Sequence, residues 1–131
     1  MSESMSKKIL IVNDEPHILK VLQSRLEVSG YAVIVANNGP EGIKKTKIDK
    51  PDLILTDIKM PQMDGIKMVK KIRRFNALIP VIFITAYPEE YAIKDVQRLK
   101  PAGYITLGID FAQQVEVINQ AIEVTRNFKK K

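Results

Sequence analysis

A chain of 131 residues, 45% apolar and 27% charged, has the size and make-up of one globular domain with room for a buried core, which excludes a disordered chain. It holds no cysteine, so a disulfide framework and a thiolate metal site are both excluded, as suits a reducing cytoplasm. Of the +6 formal charge, most sits in clusters at 44–50, 67–74 and 126–131 with only Phe75 and Phe128 nearby; nucleic-acid surfaces interleave cations with aromatics, so these clusters read as solvated faces.

The chain opens on the polar stretch MSESMSKK, and the apolar run behind it is far too short for a signal peptide or a membrane span. Residues 1–6 are expected to be a loose tail, 7–126 one domain, and 127–131 a basic tail.

Short, β-branched, mostly apolar runs predict strands at Lys8–Val12, Ala32–Val35, Leu53–Thr56, Val81–Thr85 and Gly103–Thr106, the composition of strands covered on both faces. Helical patterns lie between them. The first starts at Pro16, a good first-turn residue, repeats Ile18, Leu19, Leu22 and Leu26 at three and four, and ends at Gly30. The second, Pro40–Ile48, is weak. The third follows the turn Asp64-Gly65 and uses Ile66, Val69 and Ile72. The fourth runs over about Glu89–Leu99, and the fifth over about Phe111–Phe128 with Phe111, Val115, Ile118 and Ile122 on one stripe. Strands alternating with helices on short connections predict an α/β fold, a doubly wound parallel sheet in one domain.

In such a sheet, ligands bind beyond the carboxyl ends of the strands where the strand order reverses. The first strand delivers Asn13 and Asp14 there, the third Asp57, the fourth Thr85. Each has a bland role in isolation: a cap, a turn former, a strand-end hydroxyl. Together they form a crevice with two acids, which repel unless a cation intervenes. Mg²⁺ is suited to one or two carboxylates plus waters and a phosphate, and the Thr85 hydroxyl suits a phosphoryl oxygen.

The segments ILIVNDEP, LILTDIKMPQMDG, VIFITAYP and GYIT resemble, in order and spacing, the receiver domain of bacterial two-component response regulators, over about residues 7–125. The resemblance implies a five-stranded parallel sheet of order 2-1-3-4-5 with five flanking helices, the flavodoxin-like arrangement. It implies that Asp57 accepts a phosphoryl group from a sensor histidine kinase or a histidine phosphotransfer protein, as a signalling domain rather than an enzyme. Mg²⁺, or Mn²⁺ in its place, would be held by Asp14, Asp57 and the backbone carbonyl of Lys59, with Asn13 acting through a water. Thr85 and the backbone N–H of Ala86 would bind phosphoryl oxygens. Tyr104 would swing inward in response, and the face of helix four, strand five and helix five would carry the output, including homodimer formation.

Two positions depart from the family pattern. Asn13 stands where a second acid is usual, and Leu107, followed by Gly108, stands where a lysine and proline are usual. The usual three acids and one lysine sum to −2; Asp14 and Asp57 without a lysine also sum to −2, so the two exchanges offset each other electrostatically. Leu107 nonetheless removes a charge-assisted bond to the phosphoryl group, and an alternative is a pseudo-receiver that works as an interaction module without phosphorylation. A metal-dependent phosphatase is disfavoured, since its general acid would fall at Lys59. Glu15 and His17 read as first-turn helix residues, and Met60, Met63 and Met68 as packing.

Overall fold

The structure, a computed structural model, describes residues 7–85, 93–106, 116 and 119–120. In chain order the elements are β1 (Lys8–Val12), α1 (Pro16–Val28), β2 (Ala32–Ala36), α2 (Gly39–Asp49), β3 (Leu53–Asp57), α3 (Gly65–Arg73), β4 (Val81–Thr85), α4 (Ile93–Gln97) and β5 (Gly103–Thr106). All five strands match their predicted positions, β2 and β3 each running one residue further. The early turns expected of the fourth helix, most of the fifth, both tails, Ala86, Leu107 and Gly108 lie outside the described residues.

The sheet is parallel throughout, in the order β2-β1-β3-β4-β5. The central strands β1, β3 and β4 are near-continuous apolar runs because helices cover both faces. On one face Leu10, Val12, Ile54, Val81 and Phe83 pack against the apolar stripe of α3, Ile66, Val69 and Ile72, and against Val96 and Leu99 at α4. On the other, Ile9, Ile11, Leu55, Ile82 and Ile84 meet Leu19, Leu22 and Leu26 of α1. Met60 and Met68 are buried in the first cluster and Met63 packs against it, so the methionines are core, as their sequence context predicts.

The helix starts follow local chemistry. Asn38 caps α2 by accepting the Glu41 N–H at 2.8 Å, while the Glu41 carboxylate reaches back to accept the N–H of the preceding Asn37 at 2.9 Å, so both donors are satisfied. That bond holds the Glu41 carboxyl below its ordinary pKa. Asp64 caps α3 through the Lys67 N–H at 2.8 Å, so the Asp64-Gly65 pair is a helix start as well as a turn. At α1, Glu15 occupies the cap position with no side-chain cap bond.

The connection from β3 to α3 brings the helix start very close to the β3 backbone. The Gly65 N–H donates to the Ile58 carbonyl at 2.7 Å, and a Cβ at Gly65 would lie 2.1 Å from the Asp57 carbonyl oxygen. Only glycine lets α3 start this close to the backbone of β3. Replacing Gly65 with Ala is therefore expected to lower unfolding free energy by about 2–3 kcal/mol, because the displaced atom is backbone and cannot step aside. Urea denaturation checks this, and a loss under about 0.5 kcal/mol, the range of neutral surface changes, would contradict it.

Candidate functional site

Three strand ends meet on one edge of the sheet. Val12 is level with Thr56 and Asp57 with Ile84, so Asn13 follows level with Asp57, and Asp14 and Thr85 come one residue later. The order reverses between β1 and β3, since β2 lies on one side of β1 and β3 on the other. The residues singled out from the sequence thus collect at the crevice where this topology binds ligands.

Asn13 is 3% exposed. Its Oδ1 accepts the Glu15 N–H at 2.9 Å and its backbone N–H donates to the Ala36 carbonyl at 3.1 Å. This side-chain turn fixes the path from β1 into α1 and so positions Asp14. Asn13 has a structural task here that does not depend on any ion. Asp14 is half-buried, and Glu15 and His17 are exposed at the start of α1.

Asp57 ends β3 half-buried. Its Oδ1 accepts the Ile58 N–H at 2.8 Å, and the Lys59 N–H also supports the carboxylate. These bonds favour the charged form but do not prevail. Loss of hydration on burial raises the pKa most, the negative charge of Asp14 adds to it and that of Glu15 adds less, leaving Asp57 at about 6 against an ordinary 3.8. Burial, helped by the neighbouring acids, therefore holds back the charged form of Asp57.

Thr85 is fully buried at the end of β4. Tyr104 pairs with Phe83, so by strand alternation Phe83, Thr85 and Tyr104 face the α3 and α4 side of the sheet. Tyr104 is 37% exposed, an outward position next to a buried hydroxyl. From the sequence Gly65 reads only as half of the turn Asp64-Gly65, without its close approach to β3. Its signal was a glycine directly behind a capping Asp, a place where helix propensity alone would favour another residue.

The donor set suits a hard divalent cation. Among the described residues no three His, Cys, Asp or Glu side chains gather as a metal cluster, so a cation at this crevice would take the Asp14 and Asp57 carboxylates, a loop carbonyl and waters. That is the sparse, hydrated coordination typical of Mg²⁺, and the raised Asp57 pKa is the potential such an ion relieves.

Residues 9–119 match the family described as the response regulator receiver domain. The chain belongs to that family. Among relatives of this receiver domain, the alkaline phosphatase synthesis transcriptional regulatory protein PhoP of Bacillus subtilis is 46% identical over 87 residues, 66% of this chain and 36% of the relative. The transcriptional regulatory protein ZraR of Klebsiella oxytoca is 35% identical over 118 residues, 90% of this chain and 27% of the relative. The receiver domain thus spans about a third or less of these regulators. Among solved structures, a receiver domain protein of Methanospirillum hungatei superposes with a TM-score of 0.81 at 26% identity, covering 93% of this chain and 98% of that one. The response regulator TrrA of Thermotoga maritima, solved in complex with Mg²⁺ and BeF, gives 0.76 at 30% identity, covering 88% and 98%. The expected sheet order and family are both borne out.

A pH dependence follows from the Asp57 environment. Between pH 3.8 and about 6 the folded receiver holds a proton on Asp57 that the unfolded chain has released, so this group favours the folded state at low pH and that contribution is lost as pH rises through about 6. With a discount for the solvent-exposed part of the carboxylate, the loss is about 1–2 kcal/mol. In the absence of divalent ions, Asp57→Asn is expected to be the more stable protein at pH 7.5 and to lose that advantage near pH 4. Denaturant midpoints at both pH values check this; an equal or lower midpoint for the variant at pH 7.5 would contradict it.

Proposed function

We propose that this receiver domain takes a phosphoryl group onto Asp57 from a phosphohistidine of a sensor kinase or a histidine phosphotransfer protein in the cytoplasm. The observation that carries this is the Asp57 carboxylate, held at a strand end beside Asp14 with its pKa raised to about 6. In the transfer, a carboxylate oxygen of Asp57 forms a bond to phosphorus while the phosphorus–nitrogen bond breaks and its electron pair returns to the imidazole of the donor. The product is an acyl phosphate.

The protein contributes mainly position and charge, as phosphoryl transfer requires. The Ile58 N–H fixes the Asp57 rotamer through its 2.8 Å bond. Asp14, Asp57 and the Lys59 carbonyl would hold Mg²⁺, or Mn²⁺ in its place, and Asn13 keeps the loop that presents Asp14 in register. When bound, the ion supplies positive charge against the carboxylates and the incoming phosphoryl oxygens. The Thr85 hydroxyl and the Ala86 N–H would donate to phosphoryl oxygens. A shift of Thr85 toward the new anion vacates space that Tyr104, on the same side of the sheet and outward here, is placed to fill. The surface of α4, β5 and the helix expected at Phe111–Phe128 would then change its partner contacts, homodimer formation included.

Incubation with acetyl phosphate and Mg²⁺, read by intact mass, is expected to add one phosphate to the native chain and none to Asp57→Asn, with no addition when the ion is chelated. Absence of the adduct in the native chain would favour a pseudo-receiver, for which the Asn13 and Leu107 exchanges are the sequence basis. Equal incorporation in the Asp57→Asn variant would place the acceptor elsewhere.

A further inference from the structure

Positive charge clusters on α3 and on the segment that follows α4. Helix α3 carries Lys67, Lys70, Lys71 and Arg74 at spacings of three and four, a single stripe facing a cleft shared with Asp64 and Asp95. A second cleft of about 520 Å³ opens at the end of α3, where Arg98 and Lys100 follow α4 and, among the described residues, no carboxylate lines the wall. Arg73 also lines it. Among the described residues, seven cations less two acids leave +5 lining these two clefts.

Helix chemistry does not account for this. Cations in the last turn of α3 offset its dipole, but Lys67 lies in the first turn, where a positive charge is disfavoured, and Arg98 and Lys100 lie outside α3. Among the described residues none of the four α3 cations, nor Arg98 or Lys100, is held in an ion pair. The second cleft is also apolar: Leu78 is 90% exposed at its rim, beside Pro80 and Pro101. Arg73 gives it a fixed shape, since its half-buried guanidinium donates to the Ile79 carbonyl and, at 3.1 Å, to the Leu99 carbonyl. The loops before β4 and β5 are thereby pinned to each other across the cleft.

We propose that this surface, from the α3 stripe to the Leu78 cleft, docks an acidic segment of a partner protein that also carries an apolar side chain for the cleft. Charge complementarity selects the occupant. A second copy meeting the same face would set +5 against +5, and the chain's own RNFKKK end is basic. Nucleic acid is disfavoured because, among the described residues, no aromatic lines either cleft to stack a base.

The test uses the full chain and a fluorescein-labelled twelve-residue peptide of alternating Glu and Asp with one central Leu, read by anisotropy at low and physiological salt. Saturable binding is expected, weakened about tenfold by the double reversal Lys70→Glu with Arg74→Glu, and similarly by Arg98→Glu with Lys100→Glu. Leu78→Ser is expected to weaken it several-fold without changing its salt dependence. The control reversal Lys20→Glu with Lys44→Glu makes the same change in net charge on other helices and should leave binding within twofold. No saturable binding, an equal loss in the control, or tighter binding of a DNA duplex than of the peptide would each overturn the proposal. Circular dichroism melts of every variant separate lost binding from lost folding.

Discussion

The arrangement depends on one electrostatic tension: a carboxylate at the end of a buried strand, partly stripped of water and set beside a second carboxylate. Burial and Asp14 together outweigh the two backbone N–H groups that stabilise the Asp57 anion, so the group sits at about 6. A fold that retained such an acid for packing alone would gain by replacing it. Under the proposed function, positive charge from outside the chain, a divalent cation at a phosphoryl site, would relieve that tension.

The rest of the architecture holds that pair in place. The parallel order brings β1 and β3 side by side, which sets the two acids on adjacent strand ends. Asn13 spends its side-chain oxygen on the Glu15 N–H, so the loop carrying Asp14 is tied to the strand rather than left to solvent. Gly65 allows α3 to begin against the Asp57 carbonyl, and the Asp64 cap starts the helix at that point. Apolar packing on both sheet faces makes these positions rigid, and rigidity is what keeps two like charges from drifting apart.

Much of this was legible in the chain itself. The strands were readable because each is a compact β-branched run, and α1 because its leucines recur with helical period behind Pro16. The boundaries of α2 were less clear since only Ile43 marks an apolar position; its start is set by the Asn38 cap on the Glu41 N–H and the Glu41 carboxylate on the Asn37 N–H, which a periodicity count does not register. Asp14, Asp57 and Thr85 stood out because polar residues ended apolar runs. Gly65 did not, because its role is a tertiary approach to a backbone atom distant in pattern though near in sequence. The raised pKa of Asp57 was likewise foreseeable in direction from two neighbouring acids, but the larger contribution, burial, depends on packing that appears only in three dimensions.

The central claim concerns the charge state of one carboxyl group, and that group can be observed directly. Carbon-13 NMR of the Asp57 side-chain carboxyl, followed through a pH titration with and without Mg²⁺, is the most direct measurement. An apparent pKa near 6 without the ion, falling below the ordinary 3.8 with it, is the predicted result. A titration near 3.8 that Mg²⁺ leaves unmoved would contradict the account.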